Sequence, residues 1–113
     1  MLFTTLAQAA PDETARVEIE HLLTALEQSA CQFYRNGSWH DATRARAHLQ
    51  RKYDYLLKKD LVDSAEQFIE RAATESSRSG ESYQVRCPGS AAISSAEWLG
   101  TELEKFRKPA HKQ

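Results

Sequence analysis

The sequence predicts a small α+β domain: a three-stranded antiparallel sheet (one hairpin plus one later strand) packed with about four helices and held by one disulfide. Three observations predict it. Asn36-Gly37 lies between aromatic-rich flanks, and a type I′ hairpin turn needs positive φ at both central residues. Several stretches place a capping residue ahead of apolar positions at helical spacing. Cys31 and Cys87 stand alone, outside any CxxC or His/Cys cluster. In an oxidising compartment such a pair usually becomes a disulfide; kept reduced, the two would be buried free thiols.

Each element follows in order. Met1 to Ala10 is apolar and uncharged, and Ala7-Gln8-Ala9 has the small-x-small form that signal peptidase accepts. Residues 1–10 are therefore expected to be the remnant of a secretory signal, 11–107 a single domain and 108–113 a flexible tail. After Pro11, the residues Ile19, Leu22, Leu23, Leu26 and Ala30 fall on one helix face, with Asp12 and Glu13 at the positive end of the dipole. Cys31 to His40 forms the hairpin. Asp41 caps a helix running to about Lys58, with Ala45, Leu49, Tyr53 and Leu56 inward. Ser64 and Gln67 make a capping box. The helix they open buries Ala65, Phe68, Ile69, Ala72 and Ala73, frays through Ser76 to Ser79, and stops at a left-handed Gly80. Glu81 to Arg86 reads as the late strand, with Tyr83 and Val85 on one side. If Cys87 bonds Cys31, that strand lies beside the hairpin. Ser94 and Glu97 form a second capping box, opening a last helix with Trp98, Leu99, Leu103 and Phe106 apolar.

Composition narrows the function. The chain has 113 residues, 41% hydrophobic and 27% charged, as in an ordinary globular domain. Its net charge of −1 argues against a dedicated nucleic-acid binder. No stretch approaches the ~20 apolar residues of a membrane span.

At Asn36-Gly37, His40, Ala45, His48-Leu49, Lys52, the run Ser64 to Ile69, Ser76-Ser77, Gly80, Tyr83 and the run Val85 to Gly89, the chain resembles the YfeK-like family of exported bacterial proteins, a domain of unknown function. The resemblance covers about Glu18 to Phe106. It implies a compact, signal-bearing, disulfide-linked periplasmic protein, and it brings no established activity, substrate or catalytic residue. By analogy with other small exported proteins that lack enzymatic motifs, an immunity protein neutralising a toxin or effector is one expectation.

The residues that could carry function lie on the second helix. His40, Arg44, His48 and Lys52 recur at four-residue steps, and Arg51, Lys58 and Lys59 extend the basic region. The first helix is acidic instead, through Asp12, Glu13, Glu18, Glu20 and Glu27. Such a split can steer an anionic ligand or an acidic partner onto one face, or the two helices can simply attract each other or be solvated. Trp39 beside the Asn36-Gly37-Ser38 turn is the aromatic expected to stay partly exposed. Arg86 with Tyr34, Trp39 and Tyr83 surrounds the sheet, as hot-spot residues or as packing.

His40 and His48, eight residues apart on a helix, cannot share a metal, so no metal or cofactor is expected. Ser76 or Ser77 with His48 and Asp54 could be drawn as a hydrolase triad, but no nucleophile elbow or oxyanion loop accompanies them. The expectation is a non-catalytic, periplasmic or secreted protein-binding module, a monomer or weak homodimer, with Trp39, Arg44, His48 and Lys52 as partner contacts. Its rivals are a small cell-envelope hydrolase built on His48 and a homo-oligomeric envelope protein that exposes Trp98 or Phe106.

Overall fold

Asp12 opens the first helix, its side chain accepting from the Ala15 N–H at 2.9 Å. In the computed structural model, which describes residues 10–108, this helix is α1 (Glu13–Gln28). There follow β1 (Gln32–Arg35), β2 (Ser38–His40), α2 (Ala42–Lys58), α3 (Ala65–Ala72), β3 (Gln84–Arg86), β4 (Ile93–Ser94) and α4 (Ser95–Arg107). The expected signal remnant up to Ala9 and the tail from Pro109 lie outside the described residues.

The three other caps form as their sequences require. Asp41, Ser64 and Ser94 each accept from a backbone N–H three residues on, those of Arg44, Gln67 and Glu97. The capping box at Ser64 closes differently from the expected geometry: Gln67 reaches back to the Asp63 N–H at 2.9 Å, one residue before the cap.

The turn between β1 and β2 has Asn36 at φ 49° and Gly37 at φ 88°, the pair of left-handed conformations that Asn-Gly favours. The sheet is antiparallel throughout, in the order β2-β1-β3-β4. It therefore has four strands where three were expected. The additional strand, β4, is two residues long and runs directly into the Ser94 cap, so its signal was absorbed by the helix start. The disulfide Cys31–Cys87 joins the residue before β1 to the residue after β3, the neighbours it was expected to bring together.

Two boundaries differ from expectation. The third helix ends at Ala72 and does not fray through the serines; the Ala73 N–H bonds the Ile69 carbonyl, and Glu75 bridges Ser82. The stretch 76–80 is instead a turn whose Gly80 N–H donates to the Ser76 carbonyl at 2.9 Å, with Gly80 at φ 76°. The late strand is correspondingly shorter than 81–86, because Glu81 to Tyr83 pair back across that turn. Ala30, placed on the inner face of the first helix by its spacing, lies past the helix end and is exposed.

One core joins these elements: Ile19, Leu22, Leu23 and Leu26 from α1, Leu49, Tyr53 and Leu56 from α2, Phe68 from α3, Phe33 and Val85 from the sheet, and Leu99 and Leu103 from α4. Phe68 is fully buried, with its ring edge-to-face on Tyr53. Helices cover one sheet face, and the inward alternation Phe33, Val85 puts Arg35 and His40 on that same side, at the edge nearest α2.

Candidate functional site

The site forms where α2 passes the sheet edge. Its inward stripe, Leu49, Tyr53 and Leu56, anchors the helix, which leaves Arg44, His48, Arg51 and Lys52 along the border of that stripe. Tyr83, just before β3, is buried and reaches this border from below.

A three-residue network results. Tyr83 Oη lies 2.9 Å from His48 Nε2 and 3.1 Å from Lys52 Nζ. Lys52 also donates to the Glu75 carbonyl at 3.2 Å. The ammonium can only donate, so the phenol oxygen accepts from it, and the hydroxyl proton goes to His48 Nε2. The imidazole is then neutral, with its own proton on Nδ1. Its electrostatics agree: burial, followed by the positive charges of Arg35, Lys52, Arg51 and His40, pushes the His48 pKa down to about 4. Burial also lowers the Lys52 ammonium against the opposing pull of Glu75, and raises the Tyr83 phenol. The ring of His48 meets Tyr83 edge-to-face.

Two hollows meet at His48. The smaller, about 30 Å³, is lined by apolar Leu26, Phe33 and Leu49 with Arg35, His40 and Arg44 at its rim. The wider is a shallow cleft of about 300 Å³ bordered by Arg51, Lys52, Tyr55, Arg71 and Ser77. Among the described residues no carboxylate lines either hollow. Among the described residues, Arg35, Arg44 and Arg51 make no ion pair.

The charge split between the first two helices is thus resolved residue by residue. Arg46, on the flank of α2 that faces α1, pairs with Glu20 at 2.8 Å and Glu27 at 3.1 Å. Among the described residues, Arg46 is the α2 side chain that makes ion pairs with α1.

Of the four expected contacts, Arg44, His48 and Lys52 come together. Trp39 does not join them. It pairs with Tyr34 directly across the hairpin, so both project from the sheet face opposite Phe33 and His40. There the Arg86 guanidinium sits 3.9 Å from the Trp39 ring centre, and Gln32 holds that guanidinium at 2.8 Å. Trp39 is half-buried in this stack.

The drawn hydrolase triad is not assembled. The Ser76 hydroxyl is buried and accepts from the N–H groups of Arg78 and Ser79, a turn role. Asp54 bonds Gln50, and His48 bonds Tyr83. Ser77 is exposed on the cleft rim. Among the described residues no group of three or more His, Cys, Asp or Glu converges as a metal site would. Of the two residues expected at an oligomer interface, Trp98 packs edge-to-face on Phe33, and Phe106, 40% exposed, stacks on His21.

Sequence reasoning missed the roles of Tyr83, Arg35 and Arg71. Arg35 had a readable signal, since strand alternation from Phe33 places it on the inner face. Tyr83 and Arg71 had none, because their neighbours here come from distant parts of the chain.

This architecture defines a class: a disulfide-linked α+β domain with an antiparallel sheet and, on one edge, a basic cleft without an ion pair among the described residues. The chain belongs to a family of unknown function, DUF5329, whose profile matches residues 13–107. It is similar to the uncharacterized protein YfeK of Salmonella typhimurium, 34% identical over 84 residues, which span 74% of this chain and 68% of that protein. No solved structure matches it. No helix among the described residues is long and apolar enough to cross a membrane.

Proposed function

We propose that this protein is a non-catalytic binding module of the periplasm or cell exterior, which captures an acidic protein partner on its basic edge. The sharper form is an inhibitor or immunity protein whose partner is a toxin or effector. One observation carries the reading: Arg35, Arg44, Arg51 and Lys52, with His40 and the neutral His48 beside them, border two adjoining hollows that no carboxylate lines among the described residues. Uncompensated charge of one sign around a concave surface speeds and orients association with an oppositely charged partner. The disulfide supports the location, because such bonds persist in oxidising compartments.

Trp39 belongs to this reading as a separate contact, beside the hairpin turn on the other sheet face. Lys52 is unsuited to charge reversal, since it holds both Tyr83 and the Glu75 carbonyl. Arg35 and Arg44 are the better pair, as neither side chain makes a hydrogen bond among the described residues. The test is affinity capture from the source organism's envelope and secreted fractions with wild type and with R35E/R44E. A protein retained by wild type and lost from the folded variant supports the reading. Equal retention by both removes the basic edge from it.

A further inference from the structure

The wider hollow has a donor set of its own. Lys52 is not a free-swinging lysine: its ammonium is fixed by the Glu75 carbonyl and by Tyr83, which His48 holds in turn. Two of its three protons are used, and the third has no acceptor among the described residues. Arg71 spends one N–H on the Leu61 carbonyl at 2.7 Å and keeps the rest. Arg51 has no hydrogen-bond partner among the described residues, and Ser77 adds a hydroxyl at the rim. These four side chains line one cleft of about 300 Å³, and among the described residues no carboxylate lines it. Glu75, whose charge reaches Lys52, lies outside that lining.

We propose that this cleft is an oxyanion site that takes a phosphate group through Arg51, Lys52, Arg71 and Ser77. The inference rests on reading the edge as anion-seeking, and it names the group that the cleft itself takes. A lone carboxylate has two oxygens and one charge, too few to use two guanidinium groups, an ammonium and a hydroxyl. A phosphate monoester has three terminal oxygens and nearly two charges, which match them. A pre-positioned ammonium also lowers the ordering cost of binding. The cleft is larger than one phosphate, and the Tyr55 ring, 56% exposed, borders the remaining space. The phosphate can come from a free phosphate compound or from a lipid headgroup.

The experiment titrates inorganic phosphate into the full, disulfide-intact chain at constant ionic strength, followed by amide NMR shifts. The expected result is saturable shifts at Arg51, Lys52, Arg71 and Ser77. Arg51→Gln, on an exposed helix position, weakens binding by about tenfold, the effect of losing one hydrogen bond to a charged group. Arg71→Gln weakens it similarly, while Lys105→Gln on α4 leaves it unchanged. Vesicles of phosphatidylcholine with and without phosphatidic acid separate the sources. Co-sedimentation that needs phosphatidic acid and is lost in Arg51→Gln assigns a headgroup; saturable free phosphate without co-sedimentation assigns a soluble compound. Non-saturating shifts, or equal affinity in Arg51→Gln, overturn the proposal. Because no protein partner is present, saturable phosphate binding alongside failed capture would sink the protein-partner reading alone.

Discussion

Tyr83 reaches both His48 and Lys52 with a single hydroxyl, which is possible because its ring is buried and the two α2 residues are one helical turn apart. The four-residue spacing of His48 and Lys52 was legible in the sequence as one helix face. Their shared partner was not, since it lies 35 and 31 positions away and reads locally as strand filling. Tyr83→Phe keeps the ring contacts but leaves His48 Nε2 without its donor and one Lys52 proton without its acceptor. It is expected to destabilise the fold by about 1–2 kcal/mol in urea unfolding. It should also loosen Lys52, seen as increased mobility of its side chain in NMR relaxation. An unchanged midpoint with an unchanged Lys52 would show that the hydroxyl organises nothing.

At the scale of elements, caps and periodicity carried most of the legible information. The helices expected to open at Asp41, Ser64 and Ser94 start there, because an N-cap is a local bond between residues three apart; Asp12, read only as a favourable charge at the dipole's positive end, caps the first helix as well. Ends were harder. α2 closes with a left-handed residue that is not glycine: Asp60 has φ 56°, its N–H bonds the Leu57 carbonyl at 3.2 Å, and the next N–H, of Leu61, bonds the Leu56 carbonyl at 2.9 Å. This is a Schellman ending, which glycine satisfies with less strain. Asp60→Gly is therefore expected to raise stability by about 0.5–1 kcal/mol, measured as a higher urea midpoint with unchanged slope. A lower midpoint would mean that the Asp60 side chain contributes something beyond its backbone. The short β4 was illegible for a physical reason: its bonds are wholly non-local, to β3, and two residues carry no alternation of their own.

At the scale of the molecule, the sheet order followed from pairing one inferred disulfide with one hairpin. The bond closes a sequence separation of 56 residues, and β1 and β3 lie antiparallel between its ends. Replacing both cysteines with serine should cost about 4 kcal/mol in the chain-entropy account. Equilibrium unfolding of C31S/C87S against wild type measures it, and a loss below about 1 kcal/mol would show that the unfolded chain without the disulfide is already restricted by residual structure. A second long-range tie was not legible at all. Arg107, in the last turn of α4, bonds the buried Glu18 of α1 at 2.7 and 2.8 Å and Glu66 of α3 at 2.6 and 3.2 Å. It holds three helices together; its bonds to Glu18 and Glu66 raise the Arg107 pKa, and Arg107 depresses that of Glu66. Nothing local in the stretch 102–107 distinguishes it from a solvated basic end.

If the basic edge is a built site and not a solvated helix face, the protonation of His48 must show it. In the folded protein its pKa lies near 4, against about 6.5 for an unperturbed histidine. Between those values the unfolded chain binds the extra proton, so the stability that neutral His48 contributes is full above about pH 6.5 and is lost as pH falls through about 4. The measurement is a ¹⁵N NMR titration of the His48 ring, with urea midpoints of wild type and His48→Gln across the same range. The expected result is a neutral ring with its proton on Nδ1 down to about pH 4, and a stability loss on acidification that is smaller in His48→Gln. Titration of His48 near 6.5, with identical pH profiles for the two proteins, would contradict it.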